Sequence, residues 1–208
     1  MTTRKLVVVS AGLSRPSSTR LLADRLAAAT TEQFRAAEVD VHVVEVRDLA
    51  AGIANHLVTG FPGPALREAL DTVMGADGLI AVTPVFTASY SGLFKSFFDL
   101  IDPTALAGKP VLVAATGGTA RHSLVLEHAL RPLFAYLRAV VVPTAVYAAS
   151  EDWGSDGDPH TEHLPGRIAR AGQELAALMA GRPAAVTAQD AYEDMAPFAQ
   201  QLADLRVD

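Results

Sequence analysis

The chain has 208 residues, is 50% hydrophobic and 19% charged, and contains no cysteine. This composition predicts one compact globular domain and excludes disulfides, iron–sulfur clusters, thiolate zinc sites and a catalytic thiol. The net charge of -6 disfavours binding to nucleic acid or an anionic membrane, because both need clustered lysine and arginine. No apolar run reaches the ~20 residues of a membrane span, and we find no signal peptide. We therefore expect a cytoplasmic protein.

Runs rich in β-branched residues alternate with stretches of helical spacing along the chain. Strands are predicted at 6–10, 39–46, 78–83, 111–116 and 140–148. Helices are predicted after residue 19, over 64–74, after residue 92, over 123–137 and over 165–179. This alternation indicates a doubly wound α/β domain, with a parallel sheet covered by helices on both faces. Ligands of such sheets bind beyond the carboxyl ends of the strands, so the loops there are the candidate site.

The loop after the first predicted strand is rich in hydroxyl groups and reads SAGLSRPSST over residues 10–19. Its hydroxyls, the backbone N–H groups of the helix start and one guanidinium can together bind the oxygens of a phosphate. A helix N-cap alone would need only one such hydroxyl, so we favour an anion site. Because dinucleotide and triphosphatase glycine motifs are missing, a terminal monophosphate fits best. The candidate ligands are Ser10, Ser14, Arg15, Ser17, Ser18 and Thr19.

Aromatic and glycine residues mark the loops after the third and fourth predicted strands. In residues 83–92, Phe86 and Tyr90 can present flat apolar surface, and Pro84 stiffens the turn, which suits a planar heterocycle. The alternative is that loop aromatics belong to the core, and we accept it for Phe94, Phe97 and Phe98. In residues 115–123, Gly117 and Gly118 permit close approach of a ligand to the backbone. His122 is a possible catalytic contact, although an exposed histidine at a helix start is the commoner case.

These three segments, in this order, resemble those of the NAD(P)H-dependent FMN reductases of the flavodoxin-like superfamily. The resemblance covers about residues 6–178 and is carried by SRPSST at 14–19, TPVF and SYSGLFKSFFD within 83–99, and ATGG at 115–118. GGTARH at 117–122, followed by HALRP at 128–132, is most similar to reductases that serve two-component, sulfonate-type flavin monooxygenases.

The resemblance implies a flavodoxin-like, five-stranded parallel sheet of order 2-1-3-4-5, with FMN and NAD(P)H as cofactors. It places the ribityl phosphate on the first loop, the edge of the flavin ring at Pro84, Val85, Phe86 and Tyr90, and the pyrimidine end at Thr116, Gly117 and Gly118. Phe86 stands where the family usually has tyrosine, so stacking is kept and a hydroxyl is lost. His128 stands where the sulfonate-type reductases often carry a tyrosine, in a helix bulge near the subunit interface.

The implied activity is transfer of a hydride from the nicotinamide to FMN, with the reduced flavin passed to a partner monooxygenase. Two alternatives are an FMN-bound NAD(P)H quinone or azo reductase and a non-enzymatic, flavodoxin-type electron carrier. Carriers of that kind are strongly acidic and have a threonine-rich phosphate loop. This chain is mildly acidic and has Arg15 in that loop, which favours a reductase.

Residues 1–183 are predicted to form the reductase domain and residues 184–208 a C-terminal tail. Because apolar residues recur at roughly helical spacing over 192–205, we expect the tail at a subunit interface of a homodimer or homotetramer. The cluster of acids and histidines within 151–163 lacks the spacing of a metal site, so we predict a solvated loop and no bound metal. Trp153 in that loop is expected to cover the flavin or a partner subunit.

Overall fold

The computed structural model describes residues 3–34, 39–154 and 163–181. The strands of this part of the chain are β1 (Arg4–Ser10), β2 (Val39–Glu45), β3 (Gly78–Phe86), β4 (Ser89–Tyr90), β5 (Pro110–Gly117), β6 (Val140–Val141) and β7 (Val146–Ala149). Its α-helices are α1 (Ser18–Thr31), α2 (Ala50–Thr59), α3 (Pro64–Met74), α4 (Gly92–Phe98), α5 (Arg131–Tyr136) and α6 (Leu164–Ala180). None of these helices is long and apolar enough to cross a membrane.

The central sheet is parallel and has the order β2-β1-β3-β5-β6. This confirms the predicted order 2-1-3-4-5, except that the fifth predicted strand is divided into β6 and β7, which both pair with β5. Pro143 lies in the break and has no N–H for a ladder hydrogen bond. Next to it, the amide and hydroxyl of Thr144 donate to the Glu174 carboxylate of α6 at 2.7 and 2.8 Å.

Helices cover both faces of the sheet, as predicted. Successive side chains of a strand point to opposite faces, so Leu6 and Val8 pack under α1 and α6, whereas Val7 and Val9 pack under α2 to α5. On the second face, the ring of Phe98 lies 4.7 Å from that of Phe94 and 5.0 Å from that of Phe134, measured between centroids. The prediction that the phenylalanines of α4 belong to the core is confirmed, because all three are buried.

Two helical segments differ from the prediction. Helix α2 was missed, because it has no side-chain N-cap and buries only Ile53, so its sequence has little amphipathic pattern. The single helix predicted over 123–137 is instead a π-helical turn at Leu126–Leu130, followed by α5. Pro132 explains this difference: in a continuous α-helix its ring would clash with the carbonyl of His128, and a wider turn avoids the clash.

Some sequence predictions fall outside the described residues. These are the C-terminal tail over 184–208 and most of the acidic and histidine cluster, at 156–162. Trp153 is described, and it lies in a 3-10 turn at Ser150–Trp153. The guanidinium carbon of Arg25, on α1, lies 5.1 Å from the centroid of its ring, so the tryptophan packs against α1.

Candidate active site

The three predicted loops come together at the carboxyl edge of the sheet, because they follow the neighbouring strands β1, β3 and β5. Ser10 at the end of β1 is opposite Val82 of β3, and Pro84 of β3 is opposite Thr116 of β5. A direct hydrogen bond of 2.8 Å joins the hydroxyls of Thr19 and Thr116, and both side chains are buried. The first and third loops are therefore fastened to each other.

The first loop wraps around the N-terminus of α1. The Ser17 hydroxyl caps the helix by accepting a hydrogen bond from the amide of Arg20 at 3.2 Å. Gly12 makes this fold of the loop possible, because a Cβ atom there would lie 2.0 Å from the Ser17 hydroxyl oxygen. Ser14, Arg15 and Ser18 are exposed around the helix start. The loop therefore offers hydroxyls, an arginine and the positive end of a helix dipole to an anion.

The Ser10 hydroxyl is the feature that a bound ligand would best explain. It is fully buried, and within the described part of the chain its oxygen has no hydrogen-bond partner. Buried polar groups in proteins are nearly always hydrogen-bonded, and an unpaired one is destabilising. A polar group of a ligand in the first loop would satisfy this hydroxyl. The residues present therefore fit the phosphate-bearing end of FMN.

Arginines behind the first loop were not identified from the sequence. Arg47, in the 3-10 turn Val46–Leu49 after β2, donates to the carbonyl of Ser14 at 2.8 Å. Arg20 of α1 donates at 2.7 Å to both Asp24 and Glu45, and these carboxylates raise the pKa of its guanidinium above the ordinary value. The signal for Arg47 was its position just after β2, which lies beside β1 in a sheet of this order.

The second loop is a tight hairpin between β3 and β4. Its tip residues, Thr87 and Ala88, have φ angles of 48° and 69°, in the left-handed region that normally favours glycine or asparagine. Phe86 is 46% exposed, whereas Pro84 is buried and Val85 and Tyr90, which pair with each other, are half-buried. Phe86 is thus the aromatic side chain of this loop that is most available to a flat ligand.

The third loop depends on a residue far along the chain. The hydroxyl of Tyr147, on β7, donates to the carbonyl of Thr119 at 2.8 Å. A Cβ atom on Gly117 would lie 2.0 Å from the same hydroxyl oxygen, so any larger residue there would displace the tyrosine or the loop. Burial raises the pKa of Tyr147, and the nearby charges of Asp152 and Glu151 act in the same direction. The phenol therefore stays protonated and keeps donating over the physiological pH range.

The two histidines of interest are both exposed. His122 ends the 3-10 turn Ala120–His122 after the third loop. His128 lies in the π-helical turn, in a groove of about 580 Å³ that also contains Lys95 and Tyr136. The helix bulge implied by the resemblance is therefore present. Among the described residues, no group of three or more histidines, cysteines and acids could hold a metal ion.

The fold and the site together define a flavodoxin-like α/β protein. A doubly wound sheet places a hydroxyl-rich loop, an aromatic hairpin and a glycine loop on one edge, where such folds bind their cofactors. Residues 4–154 match the family described as NADPH-dependent FMN reductase, and the chain belongs to that family. The predicted family is confirmed, and with it an oxidoreductase that uses FMN and NAD(P)H.

Similar proteins agree with this assignment. The chain is 42% identical to an FMN reductase (NADPH) of Pseudomonas aeruginosa, over 86% of this chain and 94% of the relative. It is 40% identical to the NADH-dependent FMN reductase SfnF of Pseudomonas fluorescens, over 84% and 91% of the two chains. Among solved structures, an oxidoreductase from Corynebacterium diphtheriae superimposes with a TM-score of 0.82 at 47% identity, covering 87% of this chain and 99% of the other.

Proposed function

We propose that this reductase uses FMN as an exchangeable substrate and passes the reduced flavin to a partner monooxygenase. The observation that carries the site assignment is in the first loop: the buried Ser10 hydroxyl at its start has no hydrogen-bond partner within the described residues, and Ser17 at its end caps α1. We assign the phosphate end of FMN to Ser10, Ser14, Arg15, Ser17, Ser18 and Thr19. The names of similar proteins support flavin reduction, and the resemblance to sulfonate-type reductases supports the monooxygenase.

The second and third loops would hold the ring. We assign the ring edge to Pro84, Val85, Phe86 and Tyr90, and the pyrimidine end to Thr116, Gly117 and Gly118. When both cofactors are bound, the hydride passes from the nicotinamide to the flavin. The chain then contributes position more than acid–base chemistry. The exposed ring of Phe86 offers a stacking surface, and the hairpin and glycine loop offer backbone N–H groups to ring heteroatoms.

We also propose that the protein works as a homodimer or homotetramer in the cytoplasm, where NAD(P)H is regenerated. Three apolar side chains are exposed near the end of α2, namely Leu57, Val58 and Phe61. Clustered exposed apolar residues are typical of protein interfaces. In this proposal, residues 1–183 are the reductase domain and the tail 184–208 packs at the interface. Sedimentation velocity tests it: a monomer at micromolar concentration contradicts the proposal.

Initial-rate kinetics test whether FMN is a substrate. The purified protein should oxidise NAD(P)H only when FMN is added, with a sequential pattern when both concentrations are varied. A coloured protein that retains FMN and shows ping-pong kinetics with quinones or azo dyes would instead identify an acceptor reductase with bound flavin.

Substitutions in the first loop test the site. Arg15→Ala combined with Ser17→Ala should weaken FMN binding at least about tenfold, because charged hydrogen bonds contribute ~1.5–3 kcal/mol each. Riboflavin, which lacks the phosphate, should bind equally well to the double variant and to the unsubstituted protein. Unchanged FMN affinity would refute the assignment of the phosphate site.

A further inference from the structure

One carboxylate lies between two arginines at the first loop. Oδ1 of Asp48 is 3.3 Å from Nη2 of Arg15 and 3.5 Å from Nε of Arg47. Asp48 belongs to the turn after β2, whereas Arg15 belongs to the loop after β1. The two loops lie side by side because β2 and β1 are neighbours in the sheet.

The two arginines differ in how firmly they are held. The side chain of Arg47 is 18% exposed, and its guanidinium also donates to the carbonyl of Ser14. The side chain of Arg15 is 73% exposed and reaches Asp48 with one nitrogen atom of its guanidinium. Arg47 is therefore built into the loop. Arg15 can change partner at small energetic cost, since exposed ion pairs contribute little to stability.

The charges around the first loop are balanced without a ligand. Arg15, Arg20 and Arg47 bring three positive charges, and Asp24, Glu45 and Asp48 bring three negative ones at ion-pair distance. A phosphate that enters this loop has to take Arg15 from a carboxylate, and that carboxylate then remains nearby as a like charge. Asp48 therefore opposes phosphate binding, whereas the neighbouring Arg15 and Arg47 favour it.

We propose that Asp48 competes with the phosphate of FMN for Arg15 and thereby keeps the flavin weakly bound and exchangeable. This proposal rests on the proposed function, and it explains how a loop rich in phosphate-binding groups can release its flavin to another enzyme. Asp48 acts through Arg15 and is a positioning residue. It sets the affinity of the site for the phosphorylated form of flavin.

The test is the substitution Asp48→Asn, with Asp40→Asn as the matched control. Asp40 is also an exposed carboxylate, is paired with His42 at 2.8 Å, and lies near the opposite end of β2. Dissociation constants for FMN and riboflavin are measured by titrating flavin fluorescence at low and moderate salt. We expect Asp48→Asn to bind FMN about two- to fivefold more tightly, an effect of the size of one exposed ion pair.

Further readouts separate competition from a structural effect. Asp48→Asn should leave riboflavin affinity unchanged, and its FMN affinity should fall more steeply with salt than that of the unsubstituted protein. Asp40→Asn should match the unsubstituted protein in all of these measurements. In the Arg15→Ala background, the gain from Asp48→Asn should be much smaller, because there is no arginine to release.

Each opposite result overturns the inference. If Asp48→Asn binds FMN with equal or lower affinity, Asp48 only braces the loop. If riboflavin gains as much as FMN, the effect does not involve the phosphate. If the gain is as large without Arg15, there is no competition for that arginine. If the unsubstituted protein binds no FMN at all, the proposed function fails as well. If it binds FMN and only the Asp48→Asn results are contrary, the inference about Asp48 fails alone.

Discussion

The first and third loops of the site are built in different ways. The first loop carries its chemistry in its own side chains, and three of them, Ser14, Arg15 and Ser18, are exposed, with Arg15 held by a surface ion pair. The third loop has little side-chain chemistry, and its backbone shape depends on buried contacts with Thr19 and Tyr147. Substitutions in the third loop should therefore change stability as well as binding, whereas substitutions at the exposed positions of the first loop, Ser14, Arg15 and Ser18, should change binding alone.

Gly117→Ala should have the largest combined effect on stability and FMN binding. The new methyl group would lie 2.0 Å from the Tyr147 hydroxyl oxygen, so the loop or the tyrosine has to move. We expect a loss of about 1–3 kcal/mol in the free energy of unfolding, as for other overpacked sites, together with weaker FMN binding. Urea unfolding and flavin titration measure the two effects. Gly118→Ala is the steric control, because a Cβ there meets nothing within 4 Å; equal losses in both variants would contradict the prediction.

Thr19→Val tests the link between the two loops. It leaves the buried Thr116 hydroxyl without its partner at 2.8 Å, which should lower the free energy of unfolding by about 1–3 kcal/mol. The double variant with Thr116→Val removes both polar groups and should recover part of the loss. A double-mutant cycle in thermal or urea unfolding measures the coupling. Strictly additive losses would show that the two hydroxyls act independently.

Tyr147→Phe should have an intermediate effect on stability. It removes the donor to the Thr119 carbonyl, and we expect a loss of about 0.5–1.5 kcal/mol in the free energy of unfolding. This substitution lies outside the third loop and leaves its residues unchanged. Because it loosens the loop, KM for FMN should nevertheless rise. Tyr136→Phe, at an exposed position, is the control and should be neutral in both measurements. If Tyr147→Phe has the same stability and the same KM for FMN as Tyr136→Phe, the Tyr147 hydroxyl does not hold the third loop.

Arg15→Ala should have the smallest effect on stability. Its ion pair with Asp48 is exposed, so the free energy of unfolding should change by at most about 0.5 kcal/mol. Its effect should appear in FMN binding instead. A large loss of stability in this variant would show that the exposed part of the first loop also contributes to the folded structure, and the contrast with the third loop would fail.

Local patterns in the sequence were sufficient for much of the fold. Helix α3 begins and ends where predicted, because Pro64 starts it and its apolar residues have a strong helical period. The break between β6 and β7 was not predicted. It depends on the Glu174 carboxylate of α6, which accepts both hydrogen bonds from Thr144, and no local pattern shows a contact across 30 residues. The sequence does contain Pro132 and Pro143, which mark both irregular places.

Apart from helix α2 and the break between β6 and β7, the sequence by itself determined the alternation of the main strands and helices, the family, and the residue types of the three loops, since these follow from periodicity, turn chemistry and short motifs. Only the tertiary structure showed that Arg47 and Asp48 meet the first loop and that Tyr147 holds the third. The physical reason is that helical crossovers return distant chain segments to one edge of a parallel sheet. Which side chains then meet depends on strand register and packing, which local propensity does not specify.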